Sequence, residues 1–234
     1  MLIFAHIFAG ALLGLGLWHL TNDRRAILVC VVGSILPDLI DKSLALVFPS
    51  VVGGGRTVFH SLNIVIIILL VTLIFVRSNF RLVGIGVACA ILLHQILDEM
   101  WIQPPNWFYP LLGPFQGQMI PDYLGTYFWY EITNPSEWVF MIASVAILAA
   151  SYKSLTPFSH TSLLNNIKTG AYTLVVTGLL GIGLYLLYAG LTSSTATFIT
   201  PFYLKVPTVY AGLLALCGAV VMSRETFATP QELA

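Results

Sequence analysis

The chain has 234 residues, of which 58% are hydrophobic and 9% are charged, and its formal net charge at pH 7 is zero. Soluble globular domains carry about 25% charged residues, so this composition excludes an ordinary soluble protein and indicates an integral membrane protein. The sequence has no basic run, and we therefore expect membrane lipid, and no nucleic acid, among its partners.

Apolar segments long enough for membrane helices recur along the chain, since a transmembrane helix needs about 20 mostly apolar residues. They are residues 2–20, 26–40, 61–76, 82–100, 136–152, 170–191 and 205–222. The second is short and polar at its end, and the third is marginal. The sequence therefore predicts an all-α, polytopic membrane protein with six or seven transmembrane helices. We expect one integral membrane domain, in which residues 1–135 bear the functional site and residues 136–234 support it.

The Lys and Arg residues predict the orientation of these helices. If the N-terminus lies outside, only Lys42, Arg56 and Lys205 of the ten basic residues are external. The other seven are then cytoplasmic, as the positive-inside rule requires. We therefore predict a multi-pass protein of the cell membrane with its N-terminus outside.

Acidic and histidine residues cluster at the ends of apolar segments in the first half of the chain. The candidates are His6, Asp38, Asp41, His60, His94 and Asp98. Imidazole and carboxylate groups together suit zinc, manganese or iron, and ionisable residues at membrane depth are usually functional. We predict that all six bind divalent metal, with zinc as first choice, at the external face. Six ligands exceed the needs of one tetrahedral ion, so a centre of two ions fits the set as well.

The spacing of these candidates places several of them on helix faces. Asp38 and Asp41 are three residues apart and His94 and Asp98 are four apart, so each pair shares a face. Two stripes with a spacing of four contain small residues: His6, Gly10 and Gly14, and Gly86, Ala90, His94 and Asp98. Such stripes let membrane helices approach closely, and the first and fourth segments are therefore expected to be neighbours. For His6 alone, the alternative is a purely structural hydrogen bond across the helix interface.

Two connections complete the first half. Residues 42–60 are predicted to form a loop, and its three glycines at 53–55 suit a lid, a close approach to ligand or an ordinary flexible connection. The connection 101–135 is rich in Trp, Tyr, Phe and Pro, which predicts an interfacial cap on the side of the site. This cap either anchors the protein or lines an entrance for a lipid-like substrate. Glu131 and Glu137 flank its exit as further supports for the site, although residues 134–137 also have the pattern of a helix start.

An ordered set of motifs carries a family resemblance over about the first half of the chain. It comprises His6 with Gly10, Gly33-Ser34, Pro37-Asp38 with Asp41, Arg56 before His60-Ser61, His94-x-x-x-Asp98 and Phe108-Tyr109-Pro110. Here the sequence resembles a family of prokaryotic inner-membrane proteins described as metal-dependent hydrolases, sometimes labelled LexA-binding. That family is distantly similar to zinc-dependent phospholipase C and P1-type nucleases. One departure is Gly55, where the family commonly has a histidine. The resemblance implies a hydrolase acting on a phosphoester, such as a phospholipid.

We predict from these observations a membrane-embedded hydrolase in which a metal-bound hydroxide attacks a phosphoester. Arg56 is expected to bind the phosphoryl oxygens, Asp41 to take the proton, and Ser61 to orient a ligand. Two rivals stay open. A cation-binding transporter would carry its ligands near the bilayer midplane in broken helices, and a non-catalytic scaffold would use the same residues as an inert polar cluster.

Overall fold

The structure is a computed structural model, and it describes residues 3–117, 122–152, 162–192 and 205–227. All regular secondary structure in these ranges is helical, which confirms the predicted all-α fold class. The chain divides into two compact units, residues 1–131 and residues 132–234.

The first unit contains most of the elements around the predicted site. Its helices are α1 (Ile3–Thr21), α2 (Arg25–Val47), α3 (Pro49–Val52), α4 (Leu62–Phe75), α5 (Ser78–Leu97), α6 (Pro104–Trp107) and most of α7 (Tyr123–Thr133). Single turns of 3₁₀ helix at Val58–His60 and Met100–Ile102 precede α4 and α6. The connection 101–135, which is expected to form an interfacial cap, is thus partly helical.

Helix α2 is longer than the sequence predicts. The predicted loop 42–60 is wrong for residues 42–47, because α2 continues to Val47, and for residues 49–52, which form α3. The physical reason lies in the polar residues of this stretch, since Lys42 pairs with Asp38 one turn earlier, at 2.6 Å between Nζ and Oδ2. An ion pair at this spacing stabilises a helix. Pro37 lies inside the same helix, where its missing N–H removes the hydrogen bond to the carbonyl of Gly33.

Glycines allow α2 to pack closely between α1 and α5. A Cβ atom added at Gly10 of α1 would lie 2.7 Å from the carbonyl oxygen of Cys30, so the two backbones nearly touch. On the other side, a Cβ added at Gly33 would lie 2.8 Å from the Cβ of Ala90 in α5. Both small-residue stripes therefore pack on α2. Helices α1 and α5 are also in contact, as expected, but at their polar ends, where the ring of His6 stacks on that of His94.

The second unit consists of α8 (Pro135–Tyr152), α9 (Ser162–Thr192) and α10 (Lys205–Phe227). The backbone amide of Ser136 donates to Oδ1 of Asn134 at 3.1 Å, which confirms the predicted helix start. Helices α9 and α10 approach closely at a glycine pair, because a Cβ at Gly183 would lie 3.1 Å from the carbonyl oxygen of Gly212.

Several of these helices are long and apolar enough to cross a membrane. Within the described residues they are Ile3–Thr21, Phe80–Leu97 and Thr169–Thr192, with shorter apolar helices at Leu62–Phe75, Pro135–Ala149 and Thr208–Arg224. These segments match six of the seven expected from hydropathy and support a helical membrane protein; the expected segment 26–40 lies in α2, which is not among them. The number of crossings and the orientation stay predictions.

Candidate metal centre

Four of the six predicted ligands converge in the first unit. Asp38 lies on α2, His60 ends the 3₁₀ turn before α4, His94 lies in the last turn of α5, and Asp98 directly follows that helix. All four are buried, and each offers one ligand atom within 4.8 Å of the other three. Because two of these residues come from the end of an apolar helix, the cluster lies where that helix would leave a membrane.

The spacing of the ligand atoms suits a single metal ion. The Nε2 atoms of His60 and His94 are 3.2 Å apart. His60 Nε2 lies 3.8 Å from Asp38 Oδ1 and 3.8 Å from Asp98 Oδ2, and His94 Nε2 lies 3.9 Å from Asp38 Oδ1. Tetrahedral zinc with bonds of about 2.0–2.1 Å to nitrogen or oxygen separates its ligand atoms by about 3.3 Å. A small inward shift of the carboxylates would complete such a shell.

Hydrogen bonds at the far side of each imidazole orient both Nε2 atoms toward the centre. Nδ1 of His94 lies 2.7 Å from the carbonyl oxygen of Ser34, which can only accept, so Nδ1 carries the proton. Nδ1 of His60 lies 2.8 Å from Oδ2 of Asp41 and donates in the same way. Two neutral imidazoles held like this present lone pairs to each other. Such a contact is favourable only with a cation or a proton between the rings.

Asp41 is placed behind His60 and outside the group of four. Its carboxylate accepts hydrogen bonds from the backbone amides of Thr57 at 2.8 Å, Phe59 at 3.1 Å and His60 at 3.0 Å, in addition to the imidazole of His60. Both oxygens are therefore engaged in fixing the turn that carries His60. Ser61 closes the same turn, because its Oγ donates to the carbonyl of Val58 at 2.7 Å.

His6 borders the group of four and contacts it from α1. Its ring stacks on the ring of His94, with centroids 3.9 Å apart. Its Nε2 lies 3.3 Å from Oδ1 of Asp98, whereas the other oxygen of that carboxylate, Oδ2, lies 3.8 Å from Nε2 of His60. Glu131 supports this end of α1, because its carboxylate accepts from the backbone amides of Ile3 at 3.1 Å and Phe4 at 3.2 Å. Glu137 belongs to the second unit.

Two cationic side chains pair with the carboxylates of the centre. Arg56, predicted from the sequence, contacts Asp98 Oδ2 through Nη2 at 3.0 Å. Lys42, which the sequence pattern predicts to lie in a loop, contacts Asp38 Oδ2 at 2.6 Å. Each carboxylate thus holds a cation while also contributing to the group of four.

Two buried amides that sequence reasoning missed fix the loop carrying Arg56 and His60. The Nε2 of Gln95 donates to the carbonyls of Phe59 at 3.0 Å and Ser61 at 2.9 Å, on either side of His60. Its Oε1 accepts from Trp107 Nε1 at 3.0 Å. A polar amide within an otherwise apolar segment, next to a candidate ligand, is the signal that could have revealed it.

Asn106 plays the corresponding role for Arg56. Its Nδ2 donates to the carbonyls of Arg56 at 3.0 Å and Gln116 at 2.6 Å, and its Oδ1 accepts from the backbone amide of Gln116 at 2.6 Å. Gly53, at φ 67°, and Gly117 approach each other near this point, with 3.4 Å between the oxygen of one and a Cβ added to the other. The connection 101–135 therefore contacts the loop that contains the glycines at 53–55, and these contacts involve backbone atoms.

Glu99 is another buried acid beside the centre. It directly follows Asp98, is 6% exposed and adopts the left-handed conformation at φ 54°, which residues other than glycine seldom take. Burial is the largest influence on its carboxyl group and raises its pKa, while Arg56 acts in the opposite direction. Its unusual backbone turns the chain out of α5 and toward the segment that holds Asn106.

Comparison with known proteins identifies a membrane family. A family model described as YdjM inner membrane protein matches residues 1–189, a range that includes the whole candidate centre. No curated protein and no solved structure matches the chain. The prediction of an inner-membrane family is confirmed, whereas these comparisons give no support to the expected similarity to zinc-dependent phospholipase C and P1-type nucleases, which stays a prediction.

Proposed function

Since this chain belongs to the YdjM inner membrane protein family, we propose that it is a membrane-bound, metal-dependent hydrolase that cleaves a phosphoester. The observation that carries the proposal is the contact between the Nε2 atoms of His60 and His94, 3.2 Å apart, with both Nδ1 atoms turned to acceptors. Asp38 and Asp98 complete a donor set without thiolate, as in catalytic zinc sites.

One ion fits this geometry better than two. The four ligands form one group among the described residues, and a catalytic zinc ion would bind three of them and a water, with the fourth completing a five-coordinate shell. His6 contacts the centre through Asp98 and the ring of His94, which suits a residue that positions ligands. Zinc is our first choice because imidazole and carboxylate ligands are typical of it, although manganese and iron accept the same donors.

The residues around the ion have different roles in the proposed reaction. A bound divalent ion supplies a Lewis acid and lowers the pKa of water, which is the chemistry that phosphoester hydrolysis needs. Arg56, paired with Asp98, is suited to hold phosphoryl oxygens through its forked donors. Asp41 is better suited to orienting His60 than to taking a proton, because its oxygens already accept four hydrogen bonds.

The membrane location suggests a lipid-like substrate at the outer face. Asp98 directly follows the candidate span Phe80–Leu97, and His6 lies in the first turn of the candidate span Ile3–Thr21. A centre at the ends of two spans can meet lipid headgroups. We assign the external face because it leaves most Lys and Arg residues in the cytoplasm.

A second candidate function rests on the same contact between the imidazoles. A proton shared by His60 and His94 would also relieve the repulsion between their lone pairs. In that case the cluster is an inert polar core of a membrane scaffold, because pairing of this kind is the usual way to keep charges in a helix bundle.

Metal content separates these two functions. The full-length protein, purified in detergent and incubated with zinc, is expected to retain about one ion per chain, measured by inductively coupled plasma mass spectrometry. His94→Ala and Asp98→Asn should lose it. Asp23→Asn is the matched control, because Asp23 forms an exposed ion pair with Arg25. Wild-type protein without metal after loading would refute the hydrolase and leave the scaffold.

Activity then tests the reaction. The loaded protein in mixed micelles is expected to release phosphate or a phosphorylated headgroup from phospholipids, and Asp38→Asn should abolish this release. Loaded protein that turns over neither phospholipids nor bis(p-nitrophenyl) phosphate would contradict the proposed reaction while leaving the metal site intact.

A further inference from the structure

Lys42 and Arg56 are more exposed than the carboxylates of the candidate centre with which they pair. The side chains of Asp38 and Asp98 are only 7% and 5% exposed, whereas their partners Lys42 and Arg56 are 23% and 35% exposed. The two cations are therefore the more accessible partners in these pairs, and we expect a ligand of the centre to contact them. The continuation of α2 beyond Asp41 is what brings Lys42 to this position.

The two cations are unexpected partners for a metal centre. A positive charge within 3.0 Å of a ligand carboxylate weakens the attraction of that carboxylate for a divalent ion. The arrangement becomes favourable when the site also binds an anion, because the negative charge of the anion then attracts both the two cations and the metal ion. An ammonium has three N–H donors and a guanidinium five, so each group can hold its carboxylate and an anionic oxygen at once.

We propose that Lys42 and Arg56 form an anion-binding subsite whose ligand is the phosphoryl group of an anionic phosphoester. This inference rests on the proposed function and specifies its substrate class, because a neutral ester would not use two cations. It also adds Lys42 to the residues of the site, because Lys42 lies one helical turn after the candidate ligand Asp38 and pairs with it. The phosphoryl group can come from a lipid headgroup or from a soluble phosphate compound.

Calorimetric titration of the full-length, zinc-loaded protein in detergent tests the subsite, with inorganic phosphate and the short-chain lipid dihexanoylphosphatidic acid as probes. Lys42→Gln is expected to weaken binding of the probes about tenfold, the equivalent of one charge-assisted hydrogen bond. Lys42→Arg should keep most of the affinity. Arg81→Gln is the matched control, because Arg81 is an exposed cation bonded to the carbonyl of Val76.

The outcomes separate the sources of the ligand and the two proposals. Tighter binding of the lipid than of inorganic phosphate identifies a headgroup subsite, and equal binding identifies a subsite for soluble phosphate compounds; both support the inference. Wild-type affinity in Lys42→Gln, or no binding of either probe to the wild type, overturns it. Arg56→Gln repeats the test from the other cation if Lys42→Gln does not fold.

Metal content of the same samples is measured independently. A Lys42→Gln protein that keeps its ion but has lost phosphate affinity supports the subsite. Loss of the ion from the wild type would refute the proposed hydrolase. If phosphate binding in such a protein still depended on Lys42, the anion subsite would nevertheless be supported.

Discussion

Asp41 accepts hydrogen bonds from His60 twice, from the imidazole Nδ1 at 2.8 Å and from the backbone amide at 3.0 Å. The same carboxylate therefore fixes both the ring orientation and the backbone of a candidate metal ligand. A carboxylate that accepts from the far nitrogen of a ligating histidine also makes that histidine a stronger base. This relationship makes Asp41 a test of how the centre is organised.

Asp41→Asn is expected to weaken zinc binding about 10- to 100-fold, because the amide keeps the size of Asp41 but loses its charge. Competition with a chelating dye measures the affinity in detergent. Asp23→Asn, which removes a partly exposed carboxylate paired with Arg25, should bind zinc as tightly as the wild type. Unchanged affinity in Asp41→Asn would show that the orientation of His60 does not depend on this charge.

Gln95→Ala is expected to lower the free energy of unfolding by about 2 kcal/mol, because it leaves two backbone carbonyls and the Trp107 N–H without their partner. For a chain of this size, that corresponds to a thermal midpoint lower by about 4–8 °C in detergent. Gln116→Ala is the matched control, since Gln116 is exposed and bonds to Asn106 through its backbone amide and carbonyl. Equal midpoints for the two variants would mean that the Gln95 contacts contribute little.

The sequence predicts much of the first unit correctly because membrane helices follow simple rules. Apolar segments of about 20 residues mark the helices, and antiparallel neighbours bring alternate segment ends to one face. For this reason the convergence of Asp38, His60, His94 and Asp98 could be anticipated from their places at segment ends.

The finer assignments depend on side-chain orientation, which spacing does not encode. His6 and Asp41 are as well placed in the sequence as the other candidates, and only the direction of each ring nitrogen and carboxylate oxygen separates them from the group of four. Because the predicted second segment ends at residue 40, the sequence does not predict the pairing of Lys42 with Asp38. Gln95 bonds to residues more than 30 positions away in the chain, and no local pattern specifies such a contact.

Gly10→Ala is expected to destabilise the protein by about 1–3 kcal/mol, because overpacking of a close contact forces the backbone to shift. The added Cβ would lie 2.5 Å from the Oγ of Ser34 and 2.7 Å from the carbonyl of Cys30. Gly16→Ala in the same helix is the control, since its Cβ would meet nothing within 4 Å in the part of the chain that the structure describes. Helix propensity predicts that this control is neutral or slightly stabilising. Thermal midpoints in detergent check both, and equal destabilisation would contradict the close packing of α1 on α2.

Thr57→Val tests a buried hydroxyl beside Arg56. Thr57 is fully buried, and its Oγ1 has no hydrogen-bond partner among the described residues. A buried hydroxyl without a partner costs about 1–3 kcal/mol, so valine, which has nearly the same shape, is expected to leave the thermal midpoint unchanged or to raise it. Thr72→Val is a matched substitution at a second buried threonine, within α4. A lower midpoint in Thr57→Val alone would show that the hydroxyl binds a water or ligand next to Arg56, and a parallel loss of phosphate affinity would identify that ligand as the anion.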